Sequence, residues 1–307
     1  MSIARKSLAI VASVSLAMGL AACNRDSAGD GSVTLALSTQ TNPFFVQLRD
    51  GAQAKADELG ITLNIQDASD DASTQINQLN NAASSGADVV IVNPTDSDAV
   101  VPAVEALNNA DIPVIAVDRS SNGGEVASFI ASDNVAGGRQ AADALAAAIG
   151  EEGDVIVLQG IAGSSASRDR GQGFNEGIAA YPNINVVATQ TAGFDRTRGL
   201  DVASNLLQAH PNAKAIFAEN AEMALGALEA LGARAGEDVM VVGFDGTDDG
   251  LAAVQDGRMV ATIAQQPGEL GAQAVEQAKK ILDDQTPDEE VPVDVVTVTR
   301  ENVGDFE

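Results

Sequence analysis

Polar side chains recur in this sequence directly after short apolar runs. Ser38 and Asn42 follow 33–38, Asn93 follows 88–92, and Asp118 and Arg119 follow 113–117. Asp133 and Asn134 follow 127–132, and a Gly/Ser loop after 154–159 leads to Arg168 and Arg170. Phe194 and Asp195 follow 184–190, Asn220 follows 214–218, Phe244 and Asp245 follow 238–243, and Gln265 follows 260–264. Asp, Asn, Gln and Arg each offer two in-plane donor or acceptor positions. Vicinal hydroxyls of a small polyol can accept from Arg while donating to Asp. Phe44, Phe45 and the other strand-end aromatics offer apolar faces that suit the C–H faces of a sugar ring. A catalytic centre is not expected. The single His, His210, precedes Pro211 at a helix end, no Ser has a His partner, and nothing marks a reacting bond between Asp residues.

The elements that must position this set alternate along the chain. Strands are expected at 33–38, 61–67, 88–93, 113–118, 127–132, 154–159, 184–190, 214–219, 238–244 and 260–265. Ala- and Leu-rich helical spacing fills 70–85, 96–109, 136–149 and 197–209. β-branched runs between helices predict parallel strands buried on both faces. The class is therefore α/β, doubly wound, with enough strands for two sheets in a chain of 307 residues. A first crossing between sheets is expected near Ser132-Asp133, where the rhythm restarts. Ligands in such sheets bind beyond the carboxyl ends of the strands, where the polar set lies.

Composition narrows the function. The net charge is -27, and acids outnumber bases 44 to 17, so nucleic-acid phosphates are repelled and no nucleic-acid partner is expected. Lys is scarce, and two readings stand for the acidity: a saline habitat that screens self-repulsion, or compositional drift in an Ala-rich proteome. With one Cys, no internal disulfide can form. Arg5 and Lys6, an apolar run from Leu8 to Leu20 and the small residues Ala21-Ala22 describe a secretory signal, too short for a good membrane span. Leu20-Ala21-Ala22-Cys23 resembles the bacterial lipobox, which implies a signal over 1–22, lipid on Cys23 and a tether over 23–30.

Each strand-end residue also has a plainer explanation. Asn42 before Pro43 fits a helix N-cap with Pro at the first position, and Asp70, Asp96 and Asp195 fit caps too. Arg119 and Arg170 could be surface charges, while Phe129 and Phe217 lie within strand runs and fit core positions. A single such residue is more often a cap than a ligand contact. A ring of them with bidentate chemistry points to a shared ligand. Gly171-Gln172-Gly173 and the residues to Gly177 have the wrong spacing for a dinucleotide loop, and 67–71 and 245–250 lack the calcium-loop ligand order. No metal and no cofactor is expected.

Residues 33 to about 300 resemble the periplasmic ribose-binding proteins of bacterial ABC importers. The resemblance rests on TNPFFVQLRDGAQ, VNPTDSDAV, IPVIAVDR, GEVASFIASDN, LQGIAGSSASRDRG, FDRTRGL, EMALGAL, VMVVGFDGT and ATIAQQP. It implies two Rossmann-like lobes with parallel sheets joined by a three-crossing hinge. The lobes would cover 31–132 with 266–293, and 133–265 with 294–307. It further implies hydrogen bonds to sugar from Asn42, Asp118, Arg119, Arg170, Asn220, Asp245 and Gln265. Phe44, Phe45 and Phe194 would stack, Phe244 would line the pocket, and Ser38 and Asn93 would sit nearby. One position departs: the family usually has Asn-Asp-Glu-Met where this chain has Asn220-Ala221-Glu222-Met223. The implied function is that of an exported, membrane-anchored, monomeric carrier that passes D-ribose to an ABC permease and has no enzyme activity. The alternative is a binding protein that presents another monosaccharide, or a sugar-like autoinducer, to a chemoreceptor or sensor. A transcription repressor of the same fold would need a basic helix-turn-helix where this chain has a signal and lipobox.

Overall fold

Short β-branched runs become central strands because both faces can be covered by helices. The computed structural model describes residues 31–306; the signal, Cys23 and the tether expected at 1–30 lie outside the described residues. The chain begins β1 (Ser32–Leu37), α1 (Pro43–Leu59), β2 (Thr62–Asp67), α2 (Ala72–Ser85), β3 (Val89–Val92), α3 (Val101–Asn109), β4 (Val114–Val117) and β5 (Ser128–Ser132). It continues α4 (Asn134–Ala148), β6 (Glu152–Gln159), α5 (Ser165–Ile178), β7 (Asn183–Thr191), α6 (Arg196–Ala209), β8 (Ala213–Ala218) and α7 (Ala221–Leu231). It ends β9 (Met240–Asp245), α8 (Asp248–Gln255), β10 (Ala261–Ala264), α9 (Pro267–Leu282), β11 (Glu290–Val293) and β12 (Val296–Val298).

Two six-stranded sheets result, ordered β11-β5-β4-β3-β1-β2 and β12-β10-β9-β8-β6-β7. The first is parallel throughout, and the second is parallel except for β12, which runs antiparallel to β10. The chain passes between sheets after β5, after β10 and between β11 and β12. The sequence expectations did not include β11 and β12. Both are short, and Pro292 interrupts the β-branched pattern of β11. Burial on both faces also fails at β2 and β7, which lie at sheet edges and are largely open to solvent. Phe217 is core and stacks on Phe174 with ring centroids 4.4 Å apart, but Phe129 is only half-buried beside the edge strand β11.

Each sheet has an aliphatic core on both faces. In the first, Leu35 and Ile91 pack toward α1 and α9, and Val90 and Val92 toward α2 and α3. Burying each such side chain contributes roughly 1.5–3 kcal/mol. With few aromatics to fill space, paired helices approach very closely. A Cβ built at Gly173 of α5 would lie 2.0 Å from the Val135 carbonyl of α4, and one at Gly271 of α9 would lie 2.1 Å from the Leu48 carbonyl of α1. Gly173 and Gly177 therefore serve the packing of α5 on α4.

Strands hand over to helices through Asx caps. Asn42, Asp71, Asp133, Asp195 and Asn220 each accept a backbone N–H of the helix they open. Asp71, not Asp70, caps α2. Asp96 caps a turn, accepting from the N–H groups of Asp98 and Ala99, and α3 begins only at Val101. No helix among the described residues is long and apolar enough to cross a membrane.

Gly173→Ala should lower the unfolding free energy by about 1–3 kcal/mol, because backbone on both helices must shift. Gly304→Ala, where nothing lies within 4 Å, should stay within about 0.5 kcal/mol. Urea unfolding of both variants measures the contrast.

Candidate functional site

The strand-end segments of the two sheets meet around a small pocket. Asn42, Phe44, Phe45, Asp118 and Arg119 line it from the first lobe, and Ala166, Arg170, Phe194, Asn220 and Asp245 from the second. The two lobes contribute matching parts. Asp118 and Asp245 stand at the ends of β4 and β9, both in left-handed backbone at φ 64° and φ 83°. Asp tolerates this region better than most residues, and such strain concentrates at functional positions. Phe194 also sits at φ 61°, an unusual conformation for a bulky residue.

Each aspartate has an arginine beside it. Arg119 Nε lies 3.5 Å from Asp118 Oδ2 as a charge contact without hydrogen-bond geometry. Arg170 Nη1 lies 3.4 Å from Asp245 Oδ1. All four residues are buried. Burial pushes the Asp118 and Asp245 carboxyls up, opposed chiefly by Arg119 with Arg170, and by Arg170, respectively. Burial likewise pulls Arg119 down, though a guanidinium stays charged in proteins. The arginines also pack on rings. The Arg119 guanidinium lies 5.1 Å from the Phe45 ring centre and 5.3 Å from that of Phe194, so it is held between aromatics of both lobes. Arg170 lies 4.0 Å above the Phe244 ring.

A second layer holds the charged groups in place. Asn93 Oδ1 accepts from Ser38 Oγ at 2.7 Å, and its Nδ2 donates to Asp118 Oδ2 at 3.1 Å. Gln265 Nε2 donates to Asp245 Oδ1 at 2.8 Å. Arg170 Nε donates to Asn134 Oδ1 at 2.8 Å, and its Nη1 to the Glu219 carbonyl at 2.7 Å. Asn42 and Asn220 spend their Oδ1 atoms on helix caps, and Asn220 Nδ2 donates to the Phe194 carbonyl at 3.2 Å. Asp118 Oδ1 and Gln265 Oε1 are buried without a hydrogen-bond partner.

Of the residues expected from the sequence, Ser38, Asn93 and Gln265 stand behind the aspartates rather than on the wall. Phe244 was expected to line the pocket; it is instead fully buried in the core beneath Arg170. Cys23 lies outside the described residues. Asn134 stood in the strand-end set without a role and supports Arg170, while sequence reasoning missed Ala166, Ser167 and Glu219. Glu219 directly follows β8 and so met the strand-end criterion, but neighbouring Asn220 drew the assignment. Among the described residues no group of three or more His, Cys, Asp or Glu is arranged to hold a metal.

Comparison with known proteins agrees with this architecture. The periplasmic binding protein domain family matches residues 33–286. The ribose import binding protein of Escherichia coli (strain K12) is 50% identical over 269 residues, covering 88% of this chain and 90% of that protein. The Haemophilus influenzae ribose import binding protein is 49% identical over 282 residues, covering 92% and 96%. Among solved structures, the Caulobacter myo-inositol binding protein bound to myo-inositol superposes with a TM-score of 0.86 at 36% identity, covering 90% of this chain and 95% of that one.

The buried aspartates carry a pH signature. Their folded pKa values lie above the unfolded ones, so the stability they contribute is complete below the unfolded carboxylate range and is lost as pH rises through the folded values. Asp118→Asn keeps a residue that tolerates positive φ and removes the buried charge. Without sugar, the variant should melt above the parent at pH 8, with the gap closing as pH falls toward about 4. Calorimetric melting across that range checks it.

Proposed function

The chain belongs to the periplasmic binding protein family, and from that premise we propose that it captures D-ribose between its lobes and delivers it to an ABC importer. The observation that carries this reading is the pair of Asp–Arg contacts, one from each lobe, facing one small pocket lined with Phe rings. Carboxylates accept from vicinal hydroxyls, guanidiniums donate to them, and the rings cover the apolar face of the sugar. The relatives of about 50% identity are ribose import binding proteins, which supports the choice of sugar. A pentose has ~10 heavy atoms, and ~0.8–1 kcal/mol per atom gives a dissociation constant of roughly micromolar or below.

The lobes are proposed as 31–132 with 266–293, and 133–265 with 294–307. The direct contacts are assigned to Asn42, Asp118, Arg119, Arg170, Asn220 and Asp245, while Gln265, expected among them, supports Asp245 from behind. A sugar touching both lobes favours the closed arrangement, because only closure completes its contacts, and the permease reads closure as occupancy. Leu20-Ala21-Ala22-Cys23 supports a lipid on Cys23 that anchors the exported protein to a membrane, on the periplasmic or outer cell-envelope side.

Calorimetric titration with D-ribose, followed by xylose, arabinose, allose, galactose and glucose, tests the reading. One-to-one ribose binding weakened at least roughly 30-fold by Asp118→Ala or Arg170→Ala is the expected result, since either change strands a buried charge. Heat with another sugar and none with ribose would overturn the assignment of ribose. The anchor has its own test: Cys23→Ser should move the exported protein from the membrane fraction to the soluble one, and an unchanged distribution would refute it.

A further inference from the structure

Glu219 is fully buried, yet a carboxylate is costly to bury and its position at the end of β8 does not require an acid. Its contacts lead to one segment. Oε2 accepts the Gly160 N–H at 2.8 Å and the Ser167 hydroxyl, while Oε1 is buried without a hydrogen-bond partner. Gly160 and Ser167 bracket the connection from β6 into α5. That connection makes two hydrogen bonds to the opposite lobe away from the crossings: Ser97 N–H donates to the Gly163 carbonyl, and Ser120 N–H donates to Ser165 Oγ, each at 2.9 Å. The same segment brings Ala166 to the pocket wall, and Arg170 follows one turn later.

We propose that Glu219 is a positioning residue for sugar capture, whose ionised carboxylate clamps residues 160–167 so that Arg170 and the two interlobe hydrogen bonds are aligned for closure. This rests on the sugar-binding reading above. The clamp is strongest when ionised, because charge-assisted hydrogen bonds are stronger than neutral ones. The charged group facing Glu219 is Arg170 on α5; β6 and its loop present the uncharged Gln159 and the Gly160 amide, and Asp245 on β9 shares Arg170 Nη1. Burial raises the Glu219 carboxyl to about 7, against the pull of Ser167, Gly160 and Arg170, so the clamp would switch near neutral pH. Affinity would rise with pH through that window, since sugar favours the form that is fully clamped.

The test uses the full chain and Glu219→Gln, which is isosteric with the neutral acid, with Ser167→Ala as a second variant that removes one donor. D-ribose should bind the parent roughly five-fold tighter at pH 8 than at pH 6, with about a fraction of one proton released near pH 7, visible as a dependence of binding heat on buffer ionisation. Glu219→Gln should lose that dependence and keep the weaker affinity throughout. Asp70, Asp118 and Asp245 are unchanged in the variant, so the difference isolates Glu219. Amide hydrogen exchange at 160–167 measures the clamp without sugar: protection should fall in both variants, and in the parent as pH drops from 8 to 6 after correction for the intrinsic rate. At pH 8, equal affinity or equal protection in parent and Glu219→Gln, or an equal buffer dependence near pH 7, would overturn the clamp. If neither ribose nor any of the other five sugars gives heat with the parent while exchange still reports the clamp, the sugar reading fails and the role in sugar capture falls with it.

Discussion

Two carboxylates and two guanidiniums are buried together between the lobes, and much of the surrounding structure answers the cost of putting them there. An isolated buried charge is prohibitively expensive, and even a buried pair often returns less than its desolvation takes. Asp118 with Arg119 and Asp245 with Arg170 meet that cost only in part, through contacts of 3.5 Å and 3.4 Å. The direction of the aspartate shifts expresses the deficit, since burial outweighs the arginines in both. Such an arrangement is poorly suited to stability and well suited to a polar ligand, whose hydroxyls can satisfy what the protein leaves incomplete.

Holding these groups in place requires a stiff frame. The parallel sheets place Asp118 and Asp245 at carboxyl ends of strands, where each chain turns through positive φ. Ser38, Asn93 and Gln265 fix the carboxylates from behind, and Asn134 and the Glu219 carbonyl fix Arg170. The helices that cover the sheets sit backbone against backbone at Gly173 and Gly271, which keeps the strand ends from drifting. Fixed geometry spares the ligand part of the entropic cost of ordering its own binding groups.

Much of this was legible in the sequence, for identifiable reasons. The first ten strands announced themselves by apolar or β-branched runs, continuous where both faces are buried and more broken at the edge strands β2 and β7, and the rule that ligands bind at strand ends then pointed to Asp118, Arg170 and Asp245. β11 and β12 left little trace, since three or four residues at a sheet edge need no such run. Position along a strand does not distinguish wall from support. Ser38, Asn93 and Phe244 satisfy the same sequence rule as Asp118, and only side-chain direction separates them. Glu219 and Ser167 were hidden for a related reason: they lie 52 positions apart and gain meaning only when β6, α5 and β8 converge.

The adjacent rings of Phe44 and Phe45 show how one local choice can serve both core and site. Asn42 caps α1 and Pro43 opens it, so the two rings emerge from the first helical turn about 100° apart. They meet edge to face, with centroids 5.1 Å apart and planes at 89°. Both are almost wholly buried, both belong to the core beneath α1 and α9, and both line the pocket. Sealing the helix start and presenting an apolar wall are therefore not competing explanations. A chain with only eight Phe and no Trp gains most from its rings where the core ends and the cleft begins. There an edge-to-face pair is rigid enough to support Arg119 from one side while Phe194, reaching from the other lobe, covers the guanidinium from the opposite direction. Arg119 can keep both aromatic partners only while the lobes face each other, so the aromatics tie the charge at the centre of the site to closure itself.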